Sequence, residues 1–131
     1  MKSRAVLIVA LEQELPTTAL ADWPILYAGV GKVNAAVNLM AALTEKQPDL
    51  LINYGIAGAI KTGQADIVEV GQSVKCDMDA RPLGIAPGVT PFETRSERFT
   101  LSDSPLIYGT ADCVLTSVPE LACDLFNMEL Y

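Results

Sequence analysis

One acidic residue near the start of the chain has the type and the position for acid–base chemistry. Glu14 closely follows Ala5–Leu11, a continuous apolar run with β-branched residues that predicts a strand covered on both faces. Ligands of open α/β sheets bind outside the carboxyl ends of the strands, where a carboxylate can act as a general base. A solvated loop charge is the alternative; it is the preferred interpretation of Glu12, and for Glu14 both remain open.

A glycine-containing stretch, Asn53–Ile60, is the second candidate for a part of a functional site, as a backbone segment that could bind a ligand. It follows Leu50–Ile52, an apolar run that predicts a buried strand. Gly55 and Gly58 lack a Cβ, so they can take positive φ angles and turn their N–H groups toward a bound anion or hydroxyl. A plain turn after a strand explains this stretch equally simply when it is considered alone.

A second glycine-rich turn, Gly29–Asn34, is similar to a phosphate-binding loop but fails both motif tests. A Walker loop needs Ser or Thr after the lysine, where Val33 stands, and a dinucleotide fingerprint needs a small residue where Asn34 stands. Asp77 and Asp79 could bind a metal ion, although two exposed aspartates without a third ligand are usually only solvated. We therefore expect no cofactor and no metal.

Composition excludes several classes of function. The chain has 131 residues, a formal charge of -7 and no histidine. The charge argues against nucleic acid or an anionic membrane as a main partner. The lack of histidine removes Ser-His-Asp and Cys-His catalysis. Three cysteines without a C-x-x-C spacing predict reduced side chains in a cytoplasmic protein.

The order of predicted elements favours one α/β domain over residues 1–131. Apolar runs predict strands at Ala5–Leu11, Pro24–Ala28 and Asp49–Ile52, with a helix at Lys32–Lys46 between the last two. Such a βαβ unit makes its two strands parallel. Further along the chain, we expect a strand over Asp66–Val74 and a short helix after Pro119 that includes Leu121–Leu125.

Taken in order, several segments resemble the nucleoside phosphorylase and nucleosidase superfamily, in particular its methylthioadenosine/S-adenosylhomocysteine nucleosidase branch. The segments are Ala10–Glu14, Gly29–Ala36, Asn53–Gly58, Gly63–Val70, Thr110–Leu115 and Met128–Glu129. The resemblance implies a three-layer α/β/α sandwich with a mixed central sheet. It also implies a homodimer that cleaves the N-glycosidic bond of a purine nucleoside in nucleoside catabolism and purine salvage.

The resemblance also implies roles for individual residues. Glu14 matches the glutamate that activates the attacking water, and Glu129 matches the one that accepts hydrogen bonds from the ribose 2′ and 3′ hydroxyls. Met128 matches the methionine beneath the sugar. The remaining substrate-binding positions are Ile56, Ala57, Gly58, Val114 and Leu115. Val114 and Leu115 match the pair against the base, and Ile56 stands where the family usually has serine or threonine.

Two residues of the wider superfamily have no counterpart in the sequence, and their absence affects the predicted activity. The family's general acid, an aspartate beyond the methionine–glutamate motif, has no counterpart, so we expect a C-terminally incomplete member with low turnover that lacks the last strand and helix. No early arginine matches the phosphate ligands of the phosphorylases, so hydrolysis is favoured over phosphorolysis. The alternatives are a nucleoside-binding domain with impaired catalysis, a purine nucleoside phosphorylase, or an α/β fragment with exposed apolar surface.

Overall fold

The structure, a computed structural model, describes residues 5–130. These residues form two compact units, one ending at Ile56 and the other beginning at Ala57. The first unit contains β1 (Ala5–Val9), β2 (Ile25–Tyr27), α1 (Lys32–Glu45) and β3 (Leu50–Asn53). The second contains β4 (Gly58–Ala59), β5 (Gln72–Lys75), a 3₁₀ turn (Arg81–Leu83), β6 (Arg98–Thr100), β7 (Ile107–Thr110) and β8 (Leu125–Asn127).

A three-stranded parallel sheet of order β2-β1-β3 organises the first unit. The apolar strand β1 lies in the centre, where both of its edges are paired and four of its five residues are buried. Leu7 and Val9 from β1 form the core with Leu15, and Ile25, Tyr27 and Ile52 pack against it. The predicted parallel β-α-β unit is confirmed, because β2 and β3 each pair parallel with β1 and α1 connects them.

The burial predicted for β3 is wrong. Leu50 is 53% exposed and Leu51 is 37% exposed, because β3 is an edge strand of its sheet and, among the described strands, pairs only with β1. The helix α1 has the predicted position, yet none of its residues is buried. Its apolar face stays exposed at Val33, Val37 and Met40. Apolar periodicity therefore predicted the positions of β3 and α1 correctly, but it did not predict how far their apolar side chains are buried.

The second unit contains a five-stranded sheet of order β4-β8-β7-β5-β6. Strands β5, β7 and β8 are parallel to one another, whereas β4 and β6 pair antiparallel at the two edges. The predicted α/β class with a mixed sheet is thereby confirmed. The predicted strand over Asp66–Val74 is too long, since only Gln72–Lys75 is a strand.

The helix predicted at Leu121–Leu125 is wrong, because this part of the chain enters strand β8. Asp124 explains the difference. Its backbone N–H donates to the Ile107 carbonyl at 2.8 Å, and its carboxylate accepts the Ile107 N–H at 2.8 Å. Its carbonyl accepts the backbone N–H of Ile60 at 2.9 Å, and its carboxylate pairs with the Lys61 amine at 2.5 Å. One residue thus joins β8 to the segments of β4 and β7.

Asp124→Asn is expected to destabilise the protein at neutral pH by about 1.5–3 kcal/mol, the usual contribution of a hydrogen bond to a charged group. The hydrogen bond from Lys61, followed by that from Ile107, lowers the pKa of Asp124. A carboxyl with a lowered folded-state pKa contributes stability above its unfolded value, about 3.9, and loses it as the pH falls through the folded-state pKa.

Denaturant unfolding at pH 7 and near pH 2 measures this effect. The difference between wild type and Asp124→Asn should shrink at the lower pH. Asp66→Asn, which changes an exposed carboxylate, is the matched control and should unfold like wild type at both pH values. An equal deficit at both pH values would show that the charge of Asp124 does not stabilise the fold.

Candidate functional site

The carboxyl ends of the three parallel strands lie side by side in the first unit. Ala28 donates its N–H to the Val9 carbonyl at 2.8 Å, and Gly29 donates to Ala10 at 3.0 Å. On the other side of β1, Tyr54 donates to Ile8 at 2.9 Å. The loops after β1, β2 and β3 therefore start from neighbouring positions at the edge where open α/β sheets bind ligands.

Glu14 is positioned in this edge by the residues around it. Its backbone N–H donates to the Leu11 carbonyl at 3.0 Å, which forms a turn just after β1. The next side chain, Leu15, is buried in the core, and the Leu15 carbonyl accepts the Tyr27 hydroxyl at 2.7 Å. Glu14 itself is half-buried, so its backbone is anchored while its carboxylate stays at the surface of the edge.

Gly55 lies directly against this carboxylate. A Cβ added to Gly55 would stand 2.8 Å from Glu14 Oε2, which is closer than van der Waals contact. The strand order brings the two residues together, since β1 and β3 are adjacent and parallel. The positive φ angles considered for Gly55 and Gly58 are not adopted. Gly55 does allow a close approach, but to a carboxylate of the protein, and contact of this stretch with a bound anion or hydroxyl stays a prediction.

Tyr27 supports the Glu14 segment as a hydrogen-bond donor. Partial burial and then the negative charge of Glu12 raise the pKa of Tyr27 above its ordinary value. The phenol therefore keeps its proton at neutral pH and continues to donate to Leu15. Glu12 is exposed, in agreement with its interpretation as a solvated loop charge.

The Gly29–Asn34 turn is held together by asparagine side chains. Gly29 and Gly31 have φ angles of 81° and 92°, which glycine adopts without strain. Asn34 Nδ2 donates to the Val30 carbonyl at 2.8 Å, and Asn38 Nδ2 donates to Ala28 at 2.9 Å. The asparagine that breaks the dinucleotide fingerprint thus fixes the turn between β2 and α1.

The second unit has a similar edge where the parallel strands β7 and β8 end. Thr110 and Asn127 are paired in register, and Thr110 Oγ1 donates to Asn127 Oδ1 at 3.3 Å. Met128 and Glu129 follow directly. Met128 N–H donates to Glu129 Oε2 at 3.2 Å, which turns this carboxylate back over its own backbone.

The sequence patterns did not identify Asn127 as a site residue, although it organises the turn that carries Glu129. Its Oδ1 accepts the backbone N–H groups of Glu129 at 3.2 Å and of Leu130 at 3.3 Å, and its side chain is buried. The available signal was a polar residue at the end of the apolar Leu125–Phe126 pair. A buried amide that accepts several N–H groups determines where the following side chain lies.

The other predicted substrate-binding residues have different environments. Gly58 pairs with Phe126 in the antiparallel ladder of β4 and β8, so it lies beside the strand that leads to Glu129. Ala57 and Leu115 are half-buried. Ile56 is 72% exposed and Val114 is 80% exposed. The structure thus associates Gly58, Met128 and Glu129 with β8 or its neighbouring strand, while Glu14 and Gly55 lie together in the first unit.

Asp77 and Asp79 are occupied by contacts within the protein. Asp77 Oδ2 accepts the Asp112 N–H at 2.8 Å. The side-chain hydrogen bond from Arg81 lowers the pKa of Asp79 to about 2, and Arg81 also pairs with Glu120 at 3.1 Å. Across residues 5–130 no group of three or more His, Cys, Asp or Glu side chains could hold a metal ion. None of the helices in that range is long and apolar enough to cross a membrane.

Sequence comparison finds curated relatives for about half of the chain. The 5′-methylthioadenosine/S-adenosylhomocysteine nucleosidase of Hydrogenovibrio crunogenus is 42% identical over 74 residues, which are 53% of this chain and 31% of the relative. The Staphylococcus saprophyticus enzyme of the same name is 38% identical over 66 residues, or 49% of this chain and 29% of the relative. The matched segment thus spans about a third of each relative. No family model matches the chain.

Structural comparison covers nearly the whole chain. The 5′-methylthioadenosine/S-adenosylhomocysteine nucleosidase of Neisseria meningitidis, solved with methylthio-immucillin-A, matches with a TM-score of 0.73 and 22% identity over 99% of this chain and 77% of its own. A putative nucleosidase of the same name from Francisella philomiragia matches with a TM-score of 0.78 and 18% identity, covering 98% of this chain and 76% of its own. The chain is a homologue of the methylthioadenosine/S-adenosylhomocysteine nucleosidases over about half its length and shares their fold.

Proposed function

We propose that the protein hydrolyses the N-glycosidic bond of an adenosine-type nucleoside such as methylthioadenosine. The observation that carries this proposal is the Glu14 carboxylate, held at the carboxyl edge of a parallel sheet against Gly55. Cleavage of such a bond passes through an oxocarbenium-like state, in which water attacks the anomeric carbon and a carboxylate removes the water's proton. Glu14 is the proposed base.

We assign the sugar hydroxyls to Glu129. A carboxylate has two acceptor oxygens for the two donors of a vicinal diol, and such charged hydrogen bonds are short and strong. Asn127 fixes the backbone of Glu129, and Met128 precedes it on the same turn. Met128 would pack beneath the sugar, with Val114 and Leu115 against the base and Ile56, Ala57 and Gly58 along the bound nucleoside.

Incubation with methylthioadenosine in phosphate buffer tests the proposal. Hydrolysis predicts release of adenine together with the free methylthio-sugar, measured by chromatography over long incubations. A sugar phosphate as the product would instead identify a phosphorylase.

Calorimetry with methylthioadenosine and with methylthio-immucillin-A separates an enzyme from a binding domain. Binding without adenine release would favour the nucleoside-binding alternative, which the exposed apolar Ile56 supports. Neither binding nor release would overturn the assignment to nucleosides.

Gly55→Ala is expected to lower kcat by about 100-fold, because a misplacement of about 1 Å can cost that much. The new Cβ would stand 2.8 Å from Glu14 Oε2, the end of a flexible side chain, so the carboxylate moves and the fold is preserved. Circular dichroism and the unfolding midpoint should therefore match those of wild type.

A double-mutant cycle provides the control for Gly55→Ala. If Gly55 acts by positioning Glu14, the substitution should have almost no further effect on adenine release in a Glu14→Gln background. Independent, multiplicative losses in the double variant would show that Gly55 affects activity by another route.

We further propose that the protein is a cytoplasmic homodimer. The exposed apolar side chains of α1 and β3 support self-association, and the three cysteines, all in the thiol form, support a reducing compartment. Sedimentation at several concentrations measures the oligomeric state, and a concentration-independent monomer would contradict the dimer.

A further inference from the structure

A pair of thiols lies inside the second unit. Gly109, in the middle of β7, separates Cys76 from Cys123, and a Cβ added to it would stand 2.8 Å from Cys76 Sγ and 2.7 Å from Cys123 Sγ. Two sulfurs therefore face each other in the space that the missing side chain of Gly109 leaves open.

The sheet geometry disfavours a disulfide between them. Cys76 directly follows β5 and Cys123 lies just before β8, and these strands pair with opposite edges of β7. Two strand spacings amount to about 9.5 Å, whereas the Cα atoms of a disulfide lie no more than about 7 Å apart. The side chains reach toward each other over β7, and a bridging atom between the sulfurs suits this spacing better than a direct bond.

We propose that Cys76 and Cys123 bind one soft monovalent d¹⁰ cation, Cu(I) or Ag(I), through their two thiolates. Thiolates select such ions, as compared with Mg²⁺ or Ca²⁺, which prefer oxygen. Two metal–sulfur bonds of about 2.3 Å in line would place the sulfurs about 4.6 Å apart. The distances of 2.8 Å and 2.7 Å from the Cβ position of Gly109 allow the two Sγ atoms a separation of at most about 5.5 Å. Zinc needs about four ligands, and in the part of the chain that the structure describes no third or fourth ligand joins the pair.

Burial shapes the chemistry of this site. Desolvation, followed by the interaction with the neighbouring Cys123, raises the pKa of Cys76 to about 11, and desolvation also raises the pKa of Cys123. Both groups are therefore thiols at neutral pH.

On binding of the ion, two S–H bonds break, two metal–sulfur bonds form and two protons leave to solvent, with no change of oxidation state. Cys123 is only 4% exposed, but Cys76 is half-buried and gives the ion access.

Titration of the Cys113→Ser variant of the full chain with Ag(I) tests the proposal, because this variant lacks the exposed thiol outside the pair, which would bind the ion on its own. The expected result is one tightly bound ion per chain, release of two protons per ion, and a raised thermal midpoint. The substitutions of the pair are made in the same Cys113→Ser background, so that no thiol outside the pair contributes to binding. Cys76→Ser and Cys123→Ser should each weaken binding at least 100-fold, and circular dichroism verifies that both variants fold.

Cu(I) buffered by a competing chelator should give the same stoichiometry. Binding of undiminished affinity after Cys76→Ser in the Cys113→Ser background, or no tight binding in Cys113→Ser alone, would overturn the site. Release of a single proton per ion would also contradict it, because one thiolate would then be the only ligand. These outcomes do not depend on adenine release, so the metal site and the nucleosidase proposal fail or succeed separately.

Discussion

Glu14→Gln is expected to lower the rate of adenine release from methylthioadenosine by about 10²–10⁴-fold, the usual contribution of a general base. Glutamine has nearly the same shape as glutamate, so the contact with Gly55 is preserved, but its amide cannot take a proton from water. Nucleoside binding, measured by calorimetry, should change only a few-fold because the base acts on water.

Glu12→Gln is the matched control for this prediction. Glu12 is on the same loop after β1 and carries the same charge as Glu14. It is exposed, whereas Glu14 is half-buried, and we interpret it as a solvated loop charge. Its substitution should leave adenine release within about twofold of wild type. Equal losses in Glu12→Gln and Glu14→Gln would indicate a general effect of negative charge, and an unaffected Glu14→Gln would remove Glu14 from the mechanism.

The local elements of the first unit could be predicted because their signals are local. The continuous apolar run at Ala5–Leu11 gave the central strand β1, and the uninterrupted helical periodicity after Lys32 gave α1. Burial could not be predicted in the same way. Leu50 has the composition of a core residue but occupies an edge strand, and the strand order that decides this is a non-local property.

The elements of the second unit were harder to predict because they are short and depend on distant partners. Strand β8 has three residues, and its entry is fixed by the two hydrogen bonds between Asp124 and Ile107. Local sequence there, after Pro119, favours a helical turn. Tertiary hydrogen bonds outweigh such weak local preferences, which explains why the predicted helix is a strand.

In the candidate site, too, some features could be predicted from the local sequence and others depend on the pairing of distant strands. Glu14 could be singled out from its position after a predicted strand, whereas its contact with Gly55 depends on the pairing of β1 with β3. The role of Glu129 came from the resemblance to nucleosidases. The support that Asn127 gives to Glu129 appears only once β8 is placed and the amide is seen to accept two backbone N–H groups.

Glu129→Gln is expected to weaken nucleoside binding by about 10–100-fold. Glutamine keeps an acceptor for the Met128 N–H, so the turn after β8 is preserved, but it removes the charge and one of the two acceptors for the ribose hydroxyls. A hydrogen bond to a charged group contributes about 1.5–3 kcal/mol, and each 1.4 kcal/mol is tenfold in affinity. Calorimetry with methylthioadenosine measures the loss, and Glu120→Gln, an exposed carboxylate that pairs with Arg81, is the control expected to bind normally.

A nucleoside analogue without the 2′ and 3′ hydroxyls identifies the atoms involved. If Glu129 accepts those hydroxyls, the analogue should bind wild type and Glu129→Gln with the same reduced affinity, because the interaction is already absent from the ligand. A penalty for Glu129→Gln that persists with the dideoxy analogue would place the effect of Glu129 on the fold of the turn, not on the sugar. The comparison thus separates recognition from stability, which a single substitution cannot do, because Glu129 also contacts its own backbone.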